Sequence, residues 1–373
     1  MKLLDRFFGP SHAEVGLSRI GFVIIALILL LVLPFTLNVF RLGLAAKYLS
    51  LAFSAVGIVL IWGYGGILSL GQGFFFGLGS YMLAMFLKLE ATNSADSSAQ
   101  ALSAFFGSNL PDFMVWNSVE ALPFWWEPFN YVWFTLPAIV ILPAVLAFFF
   151  SYAAFRRRIG SVYFSIVTLS LSAILAIMII GQQGVTGGVN GINDFRSFMG
   201  VNLDSDSAKV TMYYVTVSLL LLAMLVCGFV LNSRLGRVVI AIRDNEDRVR
   251  FSGYNPALFK AFIFAIAAVF SAIGGAMFTI QQSLASPSLV GIVPSIEMVI
   301  YAAVGGRLSL VGAVLGAMLV GTAKTVFSEN FATLWVYFIG FLFVFVVMYL
   351  PNGIVGLLTW LRDLRNKQDG SKN

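Results

Sequence analysis

From Tyr48 to Leu87 the chain runs for forty residues without one charged side chain. An α-helix rises 1.5 Å per residue, so about 20 apolar residues cross the roughly 30 Å core of a bilayer. Forty is too long for one crossing and right for two. Gly63-Tyr64-Gly65-Gly66 supplies the break between them. The same pattern recurs along the chain. Ile20–Phe40 reads as one span. Pro128–Phe155 and Ile159–Ile180 are separated by Arg156, Arg157 and Arg158. Val210–Leu231 and Ala261–Gln282 follow. Pro294–Ala323 is compound and divided at Gly305-Gly306-Arg307, and Leu334–Leu350 is stopped by Pro351 and Gly353. Charged residues are 11% of the chain, against roughly 25% in a soluble domain. The expected fold is therefore all-α: a polytopic membrane protein of about ten transmembrane helices, some broken or short, in one domain over residues 1–373. Pro294–Gly305 counts as one crossing here, although it is short enough to re-enter instead.

Alternating crossings from an inside N-terminus put Arg156–Arg158, the loop 232–260 and the C-terminal tail on one side. That side holds 17 of the 23 Lys and Arg, while the other holds 6 of them and 10 of the 17 Asp and Glu. The bias fits the positive-inside rule and predicts cytoplasmic termini. It also accounts for the net charge of +6 without nucleic acid. The main outside feature is the loop 88–128. ATNSADSSAQ at its start is flexible by composition. Trp116, Phe124, Trp125 and Trp126, with Tyr131 and Trp133 beyond, suit an interfacial anchor or a landing surface for an extracytoplasmic partner. Ile20–Phe40 is expected to be retained as a helix, since the arm before it lacks a signal-peptide pattern.

Catalytic chemistry finds little to work with. His12 and Cys227 are the only residues of their types, so neither a metal site nor a Cys/His nucleophile pair is expected. No Walker motif, nucleophile elbow or zincin motif occurs. The spans lack the buried charges of proton-coupled carriers, and Glu297 and Lys324 read as snorkelling residues at span edges. An enzyme is not expected, and no cofactor. A carrier without an engine of its own takes its energy from another subunit.

Three glycine-rich stretches are candidates for a solute path. GYGGILSLGQGFFFGLGSY (63–81) sets Gly71, Gln72 and Gly73 inside an apolar run, the mark of a helix broken in the membrane. Close helix packing is the plainer use of such glycines. GVTGGVNGIND (184–194) brings Thr186, Gly187, Gly188 and Asn190 to an outside mouth, or is an ordinary turn-rich loop. VGGRLSLVGAVLGAMLV (304–320) echoes GGILSL in its GGRLSL, a hint of internal duplication. Thr168, Ser170 and Ser172 add neutral hydrogen-bonding groups to the spans.

NSRLGRVVIAIRDNEDRVRFSGYNPALFK (232–260) is an island of charge between uncharged spans. It cannot lie in hydrocarbon. Arg243–Phe251 is expected to form one short charged helix, broken by Ser252-Gly253 and Asn255-Pro256. It is either a solvated loop or a docking helix for a cytosolic partner.

Together LSLGQGFFFGLGSYM (68–82), TGGVNGI (186–192), AIRDNEDRVRFSGYNPALFKAFIFAIAA (241–268), SIEMVIYAAVGGRLSLVGAVLGA (295–317) and YLPNGIVGLL (349–358) resemble the permease subunits of branched-chain amino acid-type ABC importers. The resemblance spans nearly the whole chain. Within the group, PDFMVWNSVEALPFWWEPF (111–129) and TAKTVFSENFATLWVYFIG (322–340) look most like the larger urea-type permease. The resemblance implies the permease fold of the branched-chain amino acid, ribose and vitamin B12 importers, in a bacterial inner membrane. It implies a second homologous permease, two cytosolic ATP-binding subunits that consume the ATP, and a periplasmic solute-binding protein. Carried over by residue, the ATPase-coupling stretch is Arg243, Asp244, Asn245, Glu246, Asp247, Arg248, Arg250 and Gly253. The family pattern reads more like E-N-E-x-x-A-x-x-x-G; here Asp244 replaces the first acid, and Arg248 and Arg250 make the stretch more basic. Urea is the expected solute, because the spans offer neutral groups and no fixed charge. A branched-chain amino acid permease and a stand-alone channel for a small neutral solute are the alternatives.

Overall fold

The computed structural model describes residues 18–93, 110–195, 197–331 and scattered positions from 334 to 356. The N-terminal arm, residues 94–109, most of the expected Leu334–Leu350 span and the tail lie outside the described residues. Among those described, eight helices are long and apolar enough to cross a membrane. They are α1 (Arg19–Thr36), α2 (Val39–Tyr64), α3 (Gln72–Asn93), α5 (Val132–Arg156), α6 (Ser161–Gly181), α8 (Asp206–Asn232), α11 (Pro256–Gln282) and α13 (Leu310–Asn330). Shorter helices are α4 (Asp112–Trp116), α7 (Gln183–Thr186), α9 (Arg234–Asp244), α10 (Glu246–Phe251) and α12 (Ile292–Gly305). Four two-residue strands complete the set: β1 (Ile192–Asn193), β2 (Ser197–Phe198), β3 (Val201–Asn202) and β4 (Leu284–Ala285).

Two expected boundaries are corrected. The first span ends at Thr36, and the second starts at Val39 rather than Tyr48. The Asn38 side chain accepts a hydrogen bond from the Arg41 amide at 2.9 Å and so caps the new helix, as Asn commonly does. Arg41 and Lys47 thus lie inside α2. The charged island forms two helices instead of one. Asn245 is extended and its side chain accepts from the Arg248 amide at 3.1 Å, so Arg243 and Asp244 close α9 and Glu246 opens α10. The expected break at 252–256 is present. Gly253 has φ +86°, and Asn255 caps α11 with Pro256 in its first turn, where a missing N–H costs nothing.

Helix α11 is the hub and packs on α2, α3 and α5. Its sequence AIAAVFSAIGGAMF explains how. A Cβ at Gly275 would fall on the Phe76 carbonyl, and one at Gly79 would fall on the Ala272 carbonyl. Backbones approach this closely only across small residues, the usual device where the hydrophobic effect cannot hold helices together.

Alternate crossings bring loops together at two ends. At one end, Arg243 of α9 reaches Gly63, the Tyr64 hydroxyl donates to the Leu308 carbonyl, and Lys260 lies over the Phe155 ring at 5.3 Å. At the other, β1 pairs antiparallel with β4, Ile192 opposite Ala285. There Lys88 pairs with Asp112 at 2.9 Å and donates to the Asn193 carbonyl at 3.0 Å. Glu90 accepts from the amides of Met199 (3.0 Å) and Gly200 (2.8 Å). The aromatic residues of this long-loop end divide: Trp126 is fully buried, whereas Trp116, Tyr131 and Trp133 are exposed.

Candidate functional site

The helix break after Tyr64 sets up the site. Residues 66–71 are not helical, and they run beside the first turns of α6. An extended chain at membrane depth must find partners for every backbone N–H and C=O. One face of α6 supplies them. Ser161 Oγ donates to the Gly66 carbonyl (3.3 Å) and accepts from the Leu68 amide (3.4 Å). Ser165 Oγ donates to the Leu68 carbonyl at 2.6 Å. Thr168 Oγ1 accepts from the Leu70 amide at 3.3 Å, and Ser172 Oγ from the Phe74 amide at 3.1 Å. The spacing 161, 165, 168, 172 keeps the four hydroxyls on one helix face. Thr168 and Ser172 were legible as neutral groups in a span; Ser161 and Ser165 were missed, although the same spacing points to them. Ser170 is exposed on another face and donates to its own helix at Ile166.

Gly71, Gln72 and Gly73 are all buried at this junction. A Cβ at Gly71 would land on the Thr168 carbonyl, and one at Gly73 on Ser295 Oγ. Gln72 opens α3 with no exposed surface. Its Oε1 accepts from Ser271 Oγ at 2.8 Å, while its Nε2 has no hydrogen-bond partner. Ser295 Oγ donates to Ser172 Oγ at 3.2 Å. Helices α3, α6, α11 and α12 therefore meet at a buried polar cluster.

The second stretch behaves differently. Gly187, Gly188 and Gly191 have φ of +77°, +57° and +71°, a sharp turn that few side chains tolerate. Asn190 is exposed. Thr186 Oγ1 donates to the Ile179 carbonyl at 2.6 Å and lines a cavity of about 510 Å³. The other walls come from α3 (Gly77, Tyr81), α6 (Leu175, Ile179) and the long loop (Pro123, Trp125). Gly77 lies one turn along α3 from Gly73. Neither Gly71–Gly73 nor Gly187, Gly188 and Asn190 line this cavity, so the two sets are not brought into one pocket. The cavity is apolar apart from Gln182, Thr186 and the buried Tyr81 hydroxyl, which has no partner.

The spans do contain buried charge, contrary to expectation. Glu297 on α12 is 8% exposed and takes both carboxylate oxygens to Lys324 of α13, at 2.9 Å each. Tyr301 donates to it at 3.1 Å. Two helices lock together here, which simple snorkelling does not explain. Lys88 is likewise buried and paired.

On the charged loop, Glu246 accepts from Arg250 at 2.8 Å and also pairs with Lys260 of α11. It fastens α10 to a span. Asp247 and Arg248 are exposed, and Phe251 is 92% exposed at the end of α10. An apolar ring standing free on a charged loop was not singled out from the sequence, since the phenylalanines number 36 in the chain.

The family model for the permease component of branched-chain amino acid transport systems matches residues 40–347. The chain belongs to this family. It is a permease component of a branched-chain amino acid-type ABC importer, and such a permease is distinct from the ATPase subunits that power it. Members of the family work with ATPase and binding-protein partners in general, and a multi-pass inner-membrane location follows from the apolar helices together with the family. The chain is 23% identical over 383 residues to the high-affinity branched-chain amino acid transport system permease protein LivM of Escherichia coli, covering 97% of this permease and 80% of that one. It is 29% identical over 129 residues to BraD of Pseudomonas aeruginosa, a permease of the same transport type, covering 34% and 42% of the two chains. It is 22% identical over 199 residues to the ribose import permease protein RbsC of Haemophilus influenzae, covering 51% and 59%. No solved structure matches the permease significantly.

Proposed function

We propose that this permease carries a branched-chain amino acid, in place of the urea expected from two loop segments. The observation that carries the reading is the cavity between α3, α6, α7 and the long loop. Its wall is built from aliphatic and aromatic side chains. Such a wall favours transfer of an aliphatic side chain from water, with Gln182, Thr186 and the Tyr81 hydroxyl left for the solute's polar end, whereas urea has no apolar part to gain there. The named relatives that cover most of the chain, branched-chain amino acid permeases of Escherichia coli and Salmonella typhimurium, support it. A single permease domain over residues 1–373 pairs with a second, homologous permease. The Glu246–Gly253 part of the charged loop docks an ATPase subunit on the cytoplasmic side, with both termini on that side. A solute-binding protein docks at the long-loop end. Gln72, Gly71 and Gly73 form the hinge of the path, and Thr186, Gly187, Gly188 and Asn190 its outer rim.

The test is uptake of labelled leucine and labelled urea by cells holding the complete transporter, with and without its ATPase. ATPase-dependent leucine uptake that excess urea leaves unchanged supports the reading. Urea uptake without leucine uptake restores the urea assignment. Flux that persists without the ATPase identifies a channel and overturns the importer reading for this chain.

A further inference from the structure

Arg243 belongs to the charged loop, yet its guanidinium is turned toward the membrane domain. Nη1 donates to the Gly63 carbonyl at 2.9 Å. Nε and Nη2 both reach Asp244 Oδ1, each at 3.0 Å, so the neighbouring carboxylate fixes the plane of the fork. Gly63 lies in the last turn of α2, where helix carbonyls run out of partners. The Ile67 and Gly66 amides take the carbonyls of Ile61 (3.0 Å) and Trp62 (3.2 Å). The Gly63 carbonyl is taken from outside the segment, by Arg243. A cation is favoured at this end of a helix by the aligned peptide dipoles. Gly66 makes room for it: its φ is +67°, and a Cβ there would press on the Arg243 stem.

The same point touches the second break. A Cβ at Gly63 would fall on the Arg307 carbonyl, and the Tyr64 hydroxyl donates to the Leu308 carbonyl. The end of α2 just before GGILSL (65–70) therefore meets GGRLSL (305–310), and Arg243 holds that same end at Gly63. Asp247, Arg248 and Phe251 of the same loop are exposed, with Phe251 at 92%, while Arg243 keeps about a third of its side chain exposed and spends its Nη1 on the Gly63 carbonyl.

We propose that Arg243 is a positioning residue that transmits displacement of the charged loop to both helix breaks through the Gly63 carbonyl, and is not itself a contact with the ATPase. The inference rests on the reading that an ATPase drives this permease from the charged loop. A shift of α9 would pull on the end of α2, and through Tyr64 on the start of α13. It would also pull on the extended segment held by the hydroxyls of α6.

The experiment uses the complete transporter in proteoliposomes, with Arg243→Gln, Arg243→Lys and Asp244→Asn. It reads ATPase co-purification, ATP hydrolysis, and solute taken up per ATP hydrolysed, with labelled leucine and labelled urea offered separately. A wrong solute assignment shows itself in the wild type, which would then take up urea. The expected result is normal co-purification and hydrolysis in all three variants. Uptake per ATP falls about tenfold or more in Arg243→Gln, as loss of a charge-assisted hydrogen bond allows. Arg243→Lys recovers part of it, and Asp244→Asn, changing an exposed group, falls between. A wild-type uptake-to-hydrolysis ratio in Arg243→Gln overturns the proposal. So does loss of ATPase co-purification in Asp244→Asn and Arg243→Lys, which would make this corner a docking contact. If Arg243→Gln fails to accumulate, a wild-type ratio in Asp244→Asn together with Arg243→Lys overturns it equally.

Discussion

Replacing Lys88 by Met removes a charge while keeping the apolar stem. Lys88 is 1% exposed, and Asp112 opposite it has a side chain 12% exposed. The ammonium also donates to the Asn193 carbonyl at 3.0 Å, so one group joins α3, the long loop and the β1–β4 pair. Taking one partner from a buried pair leaves the other charge desolvated and alone, which costs about 3–5 kcal/mol. Asp112 keeps a bond from the Phe113 amide at 2.8 Å, which places the expected loss at the lower end, about 3 kcal/mol. For a chain of 373 residues, with an unfolding entropy of about 0.8 kcal/mol/K, that is a drop of roughly 4 °C in the unfolding midpoint. The assay is thermal unfolding of the purified permease in detergent, for Lys88→Met, Asp112→Asn and the double variant. The double variant should lose less than the two single changes added together, because no lone charge remains. Strict additivity, or a Lys88→Met midpoint equal to wild type, would show that the pair does not hold the long loop. The reasoning about the long-loop end would then be wrong.

Two further outcomes follow from the close contacts and the exposed surface. Gly71→Ala places a methyl on the Thr168 carbonyl, an overpacking that costs about 1–3 kcal/mol; it should cut uptake at least tenfold, while Gly43→Ala, where nothing lies within 4 Å, serves as a control with wild-type uptake. Phe251→Ser changes a ring that is 92% exposed, so the unfolding midpoint should stay put while co-purification of the ATPase weakens at least tenfold, as for an aromatic anchor; unchanged co-purification would take Phe251 out of the docking surface.

Helix existence was legible because hydrocarbon leaves the backbone few options. Each uncharged window became a helix wherever the structure describes it. Boundaries failed where a polar side chain did something local. Asn38 starts α2 nine residues before Tyr48, because a cap outweighs the presence of Arg41 and Lys47. Asn245 cuts the charged island in two for the same reason. The reading of the spans as free of buried charge failed for a different reason. Glu297 and Lys324 lie 27 residues apart, on helices separated by the second break, and nothing in a single sequence says that they face each other. Lys88 and Asp112 lie 24 residues apart (112 − 88), and nothing in a single sequence says that they pair. The site was legible in its glycines and in Gln72, since such residues in an apolar run point to a break. Its hydroxyl face was half legible: Thr168 and Ser172 stand out as polar groups in the span Ile159–Ile180, while Ser161 and Ser165 continue the same face in that span and were passed over.

The two breaks also explain why so polar a backbone is tolerated so deep. Residues 66–71 are held by side-chain hydroxyls of α6, not by a second strand. Hydroxyl bonds of this kind are single and separable, each worth about 1 kcal/mol within a membrane. A β ladder would lock the segment, and a continuous helix would hold it through every turn. A segment fixed by a few separable bonds, flanked by glycines that admit no side chain, can shift while each backbone group finds a new hydroxyl or the solute. The closing glycine turns at Gly66 and Gly306, φ +67° and +123°, put both such segments at the charged-loop end. The energy source, on the proposed reading, acts at that end. In the α2–α3–α11 core small residues bring backbones into direct contact. On the proposed reading the movable part is the pair of breaks at its edge, and Arg243 of the charged loop holds the first of them through the Gly63 carbonyl.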